Sequence, residues 1–211
     1  MKWTMPLIVA LALSTGATAC DNDPAEGKVK AKVAESVQTP PAPAAAAKYV
    51  FSNEGSSLEF VGAKVTNKHE GRFDRFSGHV DLVDGSPEKS SVTVEVQTAS
   101  VAIEPEKLKR HLKSDDFFDV EKHPKATFQS TAIKNGGEGG ASYTVTGNLA
   151  LHGVTRSITF PATIKVDGDQ VLVDSEFAIN RKDFHIVYPG MPDDLIKDDV
   201  LIRLKLAARK G

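Results

Sequence analysis

The chain has 211 residues, a single cysteine, and a formal net charge of −2 from 26 basic and 28 acidic side chains. A near-balanced charge without a clustered basic face gives no case for nucleic acid. One cysteine excludes an intrachain disulfide, and no apolar run reaches the roughly 20 residues of a membrane-spanning helix.

Residues 1–19 are predicted to be a secretory signal peptide. Lys2 is their only charge, Leu7 to Leu13 is a short apolar run, and Ala17, Thr18 and Ala19 are small residues at a cleavage position. Cleavage would fall just before Cys20. The site resembles a bacterial lipobox, with Ala17 where such motifs usually have Leu. That resemblance implies lipidation of Cys20 and a periplasmic, membrane-anchored lipoprotein, with inner or outer membrane left open. Residues 20–47 are then predicted to be a disordered tether. Pro24, Pro40, Pro41, Pro43 and the Ala44–Ala47 run come without aromatics and have little to bury.

The folded domain is predicted over residues 48–209, with eight strands that alternate apolar and polar residues. The first four are Ser57–Val65, Arg72–Val83, Ser91–Thr98 and Ala126–Ile133. The fifth and sixth flank His152-Gly153 as a hairpin, with Tyr143, Val145, Leu149 and Leu151 on one face and Ile158, Phe160, Ala162 and Ile164 resuming it. Val171–Arg181 and Val200–Ala207 complete the set. Glu104–Val120 breaks the pattern and reads as a short helix entered through Pro105. Eight one-sided strands with one helical insert predict an all-β fold, an antiparallel eight-stranded barrel. Its interior would be filled by side chains or would hold one small ligand.

In an up-and-down order, the links VDGSPEKS, KNGGEGG and DGDQ fall at one end as plain turns. Thr66–Gly71, the helical insert, the His152-Gly153 turn and Lys182–Asp199 fall at the other, which reads as a decorated mouth. Lys64, Arg72 and Arg181 share the parity of inward apolar residues near that mouth, where a cation would meet a polar head group. His69, His111, His123, His152 and His185 also map there. None has the spacing of a metal motif, so they are read as scattered loop histidines with no metal site. No nucleophile elbow or phosphate-binding loop is present, and no catalytic residues are assigned.

The order GRFDRFSG, SVTVEVQTASV, LKSDDFFDVEKHPKATFQS, YTVTGNLALHGVTR, FAINRKDFHIVY resembles the YceI-like family over about Tyr49 to Ala207. The resemblance implies a lipocalin-like barrel holding a polyisoprenoid or isoprenoid quinone chain, and a carrier or binding protein rather than an enzyme. The family pattern falls on Arg72, Phe73, Phe76, Gly78, Phe117, Phe118, Pro124, Phe128, His152, Gly153, Arg181 and Phe184. It departs at His185, where the family usually has Gly.

The resulting expectation is a tube lined by Phe76, Val80, Val94, Phe128, Leu149, Phe160, Phe177 and Ile179. Lys64, Arg72, Phe117, Phe118, His152, Arg181 and Phe184 are expected at its mouth and lid. The expected partners are an isoprenoid-type lipid and the membrane, with a membrane protein as a further possible partner and no cofactor beyond the bound lipid. Two alternatives share the same residues: an accessory to a membrane redox or lipid-processing enzyme, and a ligand-free envelope interaction protein.

Overall fold

The computed structural model describes residues 22–43 and 45–211. The signal peptide and Cys20 lie outside the described residues. In chain order the strands are β1 Lys32–Glu35, β2 Ala47–Ser52, β3 Ser57–Ala63, β4 Lys68–Phe73, β5 Phe76–Val83, β6 Ser86–Gln97 and β7 Val101–Ile103. Helix α1, Glu106–Lys113, follows. The chain continues through β8 Lys125–Asn135, β9 Tyr143–Leu151, β10 Val154–Asp167, β11 Gln170–Asn180, β12 Gly190–Met191, β13 Asp194–Leu195 and β14 Asp199–Lys210.

All strand-to-strand ladders are antiparallel, and they close on themselves. Strand β14 pairs along β11 on one edge and with β2 and β3 in succession on the other. The ladder then runs through β5, β6, β8, β9 and β10 back to β11. Three staves of the eight are built in two pieces: β2 with β3, β4 with β5, and β6 with β7. Their breaks lie side by side and satisfy one another. Asn53 N–H donates to the Phe76 carbonyl at 3.2 Å, Asp74 N–H to the Ser100 carbonyl at 3.1 Å, and Gln97 N–H to the Arg75 carbonyl at 3.0 Å. The predicted eight-stranded barrel is therefore the observed one, with a kink across three neighbouring staves that alternation does not announce.

The kink changes the phase of a side chain. Phe73 and Phe76 both pack inward, although an odd number of positions separates them. Arg72 therefore faces solvent, paired with Asp74 at 2.7 Å. Its expected inward position is corrected: parity does not carry across Asp74-Arg75, where the strand is broken. The link predicted as VDGSPEKS shrinks to Asp84-Gly85, both at positive φ, and β6 begins at Ser86.

The expected tether is also corrected in part. Ala25 is buried, and β1 pairs with Arg156–Thr159 of β10. The segment's apolar content is thin, but Ala31 and Val33 need only one existing edge to cover.

Three glycines let the wall close tightly. A Cβ on Gly71 would meet the ring of Phe60, one on Gly78 the ring of Phe51, and one on Gly147 the ring of Phe128, each from a neighbouring strand. At Gly78 it would also lie 2.2 Å from the Thr93 carbonyl oxygen. Backbone cannot yield as a flexible side chain can, so Gly78→Ala is expected to destabilise the fold by at least about 1–3 kcal/mol. Urea denaturation checks this: the midpoint falls while the slope is retained.

Candidate functional site: an apolar chamber below the mouth

Inward residues from most staves leave the barrel hollow. A chamber of about 250 Å³ lies below the mouth, and a smaller void of about 60 Å³ continues toward the base. The two share Val94, Phe128, Phe160 and Leu204 in their walls. Phe160 stacks on Phe177 with ring centroids 4.2 Å apart and meets Phe128 at 5.6 Å. A water needs about 10–15 Å³ of such space and several polar partners. The chamber has room for water, but its wall is almost wholly hydrocarbon. Its polar lining is confined to Lys64, His69, Thr127, Arg181 and Lys197.

Of the expected tube residues, Val94, Phe128, Leu149, Phe160, Phe177 and Ile179 line the chamber, and Val80 lines the lower void. Phe76 does not border either void. It is 4% exposed and packs in the wall cluster with Tyr49, Phe51 and Val96.

The lid residues divide. Phe117 and Phe118 line the chamber. Phe117 packs edge-on against His111, which also meets Tyr188, while Phe118 lies against Phe60 and Phe73. The segment is set by α1, which begins after Pro105 and ends with Arg110, His111 and Lys113 in its last turn, where cations suit the helix dipole. Phe184 is a correction. It has 0% exposure and belongs to the cluster of Ile158, Phe160 and Phe177, outside the chamber lining.

The cations also divide. Lys64 lines the chamber near the rim, 3.2 Å from Asp194. Arg181 points inward as parity required, but its donors are engaged. Nη1 donates to the Ile186 carbonyl at 2.7 Å and Nε to the Lys197 carbonyl at 3.2 Å, while Nη2 reaches Asp198 at 3.1 Å. Burial pushes its pKa down and the Asp198 carboxylate opposes that. Arg181 therefore fastens the loop between β11 and β14 rather than presenting an open cation to a head group.

The histidines are less scattered than their sequence positions suggest. His123 and His152 meet edge to face with centroids 5.2 Å apart, and Asp119 joins them so that one ligand atom of each lies within 4.8 Å of the others. His152 Nδ1 is 3.2 Å from the Phe184 carbonyl. A carbonyl only accepts, so this contact makes Nδ1 the donor and leaves Nε2 facing away from it. The Lys122 ammonium, hydrogen-bonded to Asp119, holds that carboxyl below the usual carboxylate range. Two imidazoles and a carboxylate are a donor set that suits a zinc-like cation. The same contacts also pin the His123-Pro124 segment to the β9–β10 turn. His152 lies in this group and not in the chamber wall.

A YceI-like domain model matches residues 49–208. The chain belongs to the YceI-like family. A UPF0312 protein of Pseudomonas putida (strain W619) is 34% identical over 169 residues, covering 75% of this chain and 86% of that protein. The crystal structure of Burkholderia cenocepacia BcnA shares the fold with a TM-score of 0.64 at 27% identity, over 74% of this chain and 97% of that one. A structure described as a polyisoprenoid binding domain from Saccharophagus degradans matches with a TM-score of 0.62 at 18% identity, over 79% and 100% respectively. At that identity the likeness shows the fold alone.

Within this YceI-like barrel the departure at His185 has a backbone meaning. His185 sits at φ 58° and ψ 20°, closing the short 3-10 turn Arg181–Phe184. Glycine reaches this left-handed region without strain, while a side chain costs about 1–2 kcal/mol there. The lining extends beyond the expected tube set to Leu58, Phe60, Leu151 and Ile202, which strand parity already turns inward, and to Ile186 and Ile196, which a loop folds inward.

Arg181→Lys is expected to lower stability by about 2–3 kcal/mol, because one ammonium cannot replace a fork spread over separated carbonyls. Urea denaturation measures the loss, and faster amide exchange in residues 186–197 would locate it. His185→Gly is expected to raise stability by about 0.5–1 kcal/mol in the same assay, once glycine's greater unfolded-state freedom is set against the relieved strain.

Proposed function

We propose that this protein is a binding protein of the cell envelope that holds an isoprenoid-type lipid chain in its barrel, anchored through a lipidated Cys20. The observation that carries this reading is the hollow, hydrocarbon-lined chamber continuing toward the base. Such a space has little to offer water, and burial contributes about 0.8 kcal/mol for each methylene removed from water. A long unbranched or prenyl chain fits that chemistry better than a polar metabolite. Lys64 and His69 stand at the polar end of the chamber, where a head group would lie. The Saccharophagus structure that shares this fold is described as a polyisoprenoid binding domain, the same ligand class. The reading is of a carrier or sequestering protein rather than an enzyme. Lipid anchorage rests on the Cys20 sequence alone.

The rim supports contact with a lipid surface. Val65, Val187, Met191 and Leu195 are exposed on the loops around the mouth, and Val65 N–H bonds to the Leu195 carbonyl. A bilayer surface would accept such side chains while the head group stays near Lys64.

Native mass spectrometry on the chain carrying Cys20→Ser, purified without detergent, tests the proposal. The expected result is a discrete added mass that organic solvent extracts and that identifies the chain length. Leu149→Trp should fill the chamber and lower that occupancy several-fold while leaving the circular dichroism spectrum unchanged. A bare protein that also fails to take up added prenyl lipid would overturn the assignment.

A further inference from the structure

The barrel wall has a seam, and a proline makes it. In an antiparallel ladder alternate residues bond to the same neighbour. Val154 closes a two-residue turn against Leu151, so even-numbered residues of β10 bond to β9 and odd-numbered residues face β11. The β10–β11 ladder pairs Asp167 with Gln170, Lys165 with Leu172 and Thr163 with Asp174, and then stops. The next odd position is Pro161, which has no N–H to donate. Ser175 Oγ bonds to its carbonyl at 2.6 Å instead. Beyond that point β11 remains paired with β14, while its β10-facing edge has lost its partner.

The N-terminal segment enters this opening. Ala31 N–H donates to the Ala178 carbonyl at 2.8 Å, and Ala178 N–H donates to the Val29 carbonyl at 2.9 Å. Immediately afterwards, Lys32 pairs with Thr159 on the other side. The segment thus stands between Thr159 and Ala178, the two residues that an unbroken ladder would have made partners. Its Ala31 and Val33 pack against the cluster containing Ile158, Phe160, Phe177 and Ile179, all four of which line the chamber.

We propose that residues 29–35 are a removable stave closing a lateral portal, through which an apolar chain enters the chamber sideways. This rests on the lipid-binding reading above. The stave lies outside residues 49–208, the stretch matching the family domain. It is held by a shorter ladder than the wall it completes, four register pairs to β10 against eleven between β11 and β14, with the Asn148 side chain clasping Val37 beyond its end. Lys28–Glu176, Lys30–Asp199, Lys32–Glu138 and Glu35–Arg156 are surface ion pairs, with Lys32 79% and Glu35 87% exposed. Such pairs add little. Lateral entry would spare a long chain from threading end-on past Phe117 and Phe118. The same segment leads back toward Cys20 through the buried Ala25 and through Asn22, whose side-chain amide donates to the Val65 carbonyl at the rim.

The test is a reversible lock. Lys32 and Thr159 face each other as an outward hydrogen-bonded pair, whose Cα separation of about 5.5 Å suits a disulfide. Lys32→Cys with Thr159→Cys is introduced into the full chain carrying Cys20→Ser, and N-phenyl-1-naphthylamine is added as a fluorescent apolar probe. The expected result is loading at least about tenfold slower in the oxidised protein, restored by reductant, with the same final occupancy. Equal loading rates with normal occupancy would overturn the portal and leave lipid binding standing. No probe uptake in either state would overturn both. Hydrogen exchange supplies a ligand-free readout: the Ala31 and Ala178 amides should exchange at least tenfold faster than β11–β14 ladder amides such as Val173. Exchange of Ala31 and Ala178 only at the ladder's rate would overturn the portal.

Discussion

The structure depends on one closure. The last strand, β14, bonds to β11 along its whole length and to β2 and β3 on its other edge. Because the final stave meets the first, the barrel ladder returns to its start, and the interior is defined by side-chain alternation instead of by a second layer. The kink across the two-piece staves follows from the same closure. It lets β14 follow β2 at one end and β3 at the other, and the broken rungs satisfy each other, as between Asp74 and Ser100. In a closed wall every inward position competes for the same space. Here glycines at 71, 78 and 147 leave room for phenylalanine rings in the wall, and the centre remains empty.

That emptiness shapes the chemistry at the mouth. A chamber lined with hydrocarbon sets no strict register on a bound chain, so polar selectivity has to come from the rim. Yet the rim's strongest cation is already committed. Arg181 is 5% exposed and is spent on loop carbonyls and Asp198. Its role is to hold Ile186 and Ile196 over the chamber. Lys64, partly exposed and paired with Asp194, is the more adaptable group, since a surface ion pair can exchange partners at small cost.

Period-two alternation made the eight staves, the mouth and the base legible in the sequence, along with most of the lining. It carried no information on where a strand breaks, and Arg72 was misplaced for that reason: one irregular step at Asp74-Arg75 reverses every parity before it. Parity gave the direction of Arg181 but not its partners, because carbonyls on a folded-back loop leave no mark in composition. The grouping of Asp119, His123 and His152 was hidden by sequence distance, since it forms only when the insert docks on the β9–β10 turn. Phe184 looked like a lid because it lies in a mouth loop, whereas the 3-10 turn rotates it fully into the core.

The N-terminal segment shows why a weakly apolar sequence can still be structural. An isolated strand must bring its own partners, and KVAE, standing just ahead of a proline-rich stretch, brings few. A strand entering an existing gap needs only to complete hydrogen bonds that the gap has left open. Pro161 creates that demand on β10, and the diverging edge of β11 supplies the matching half at Ala178. The free-energy gain is therefore local to the seam and small relative to the closed ladder around it. A proline that merely weakened the wall would be a cost to a filled barrel. In a hollow one it places the weakest part of the wall beside Phe160 and Phe177, at the chamber, and puts the segment leading to Cys20 across it.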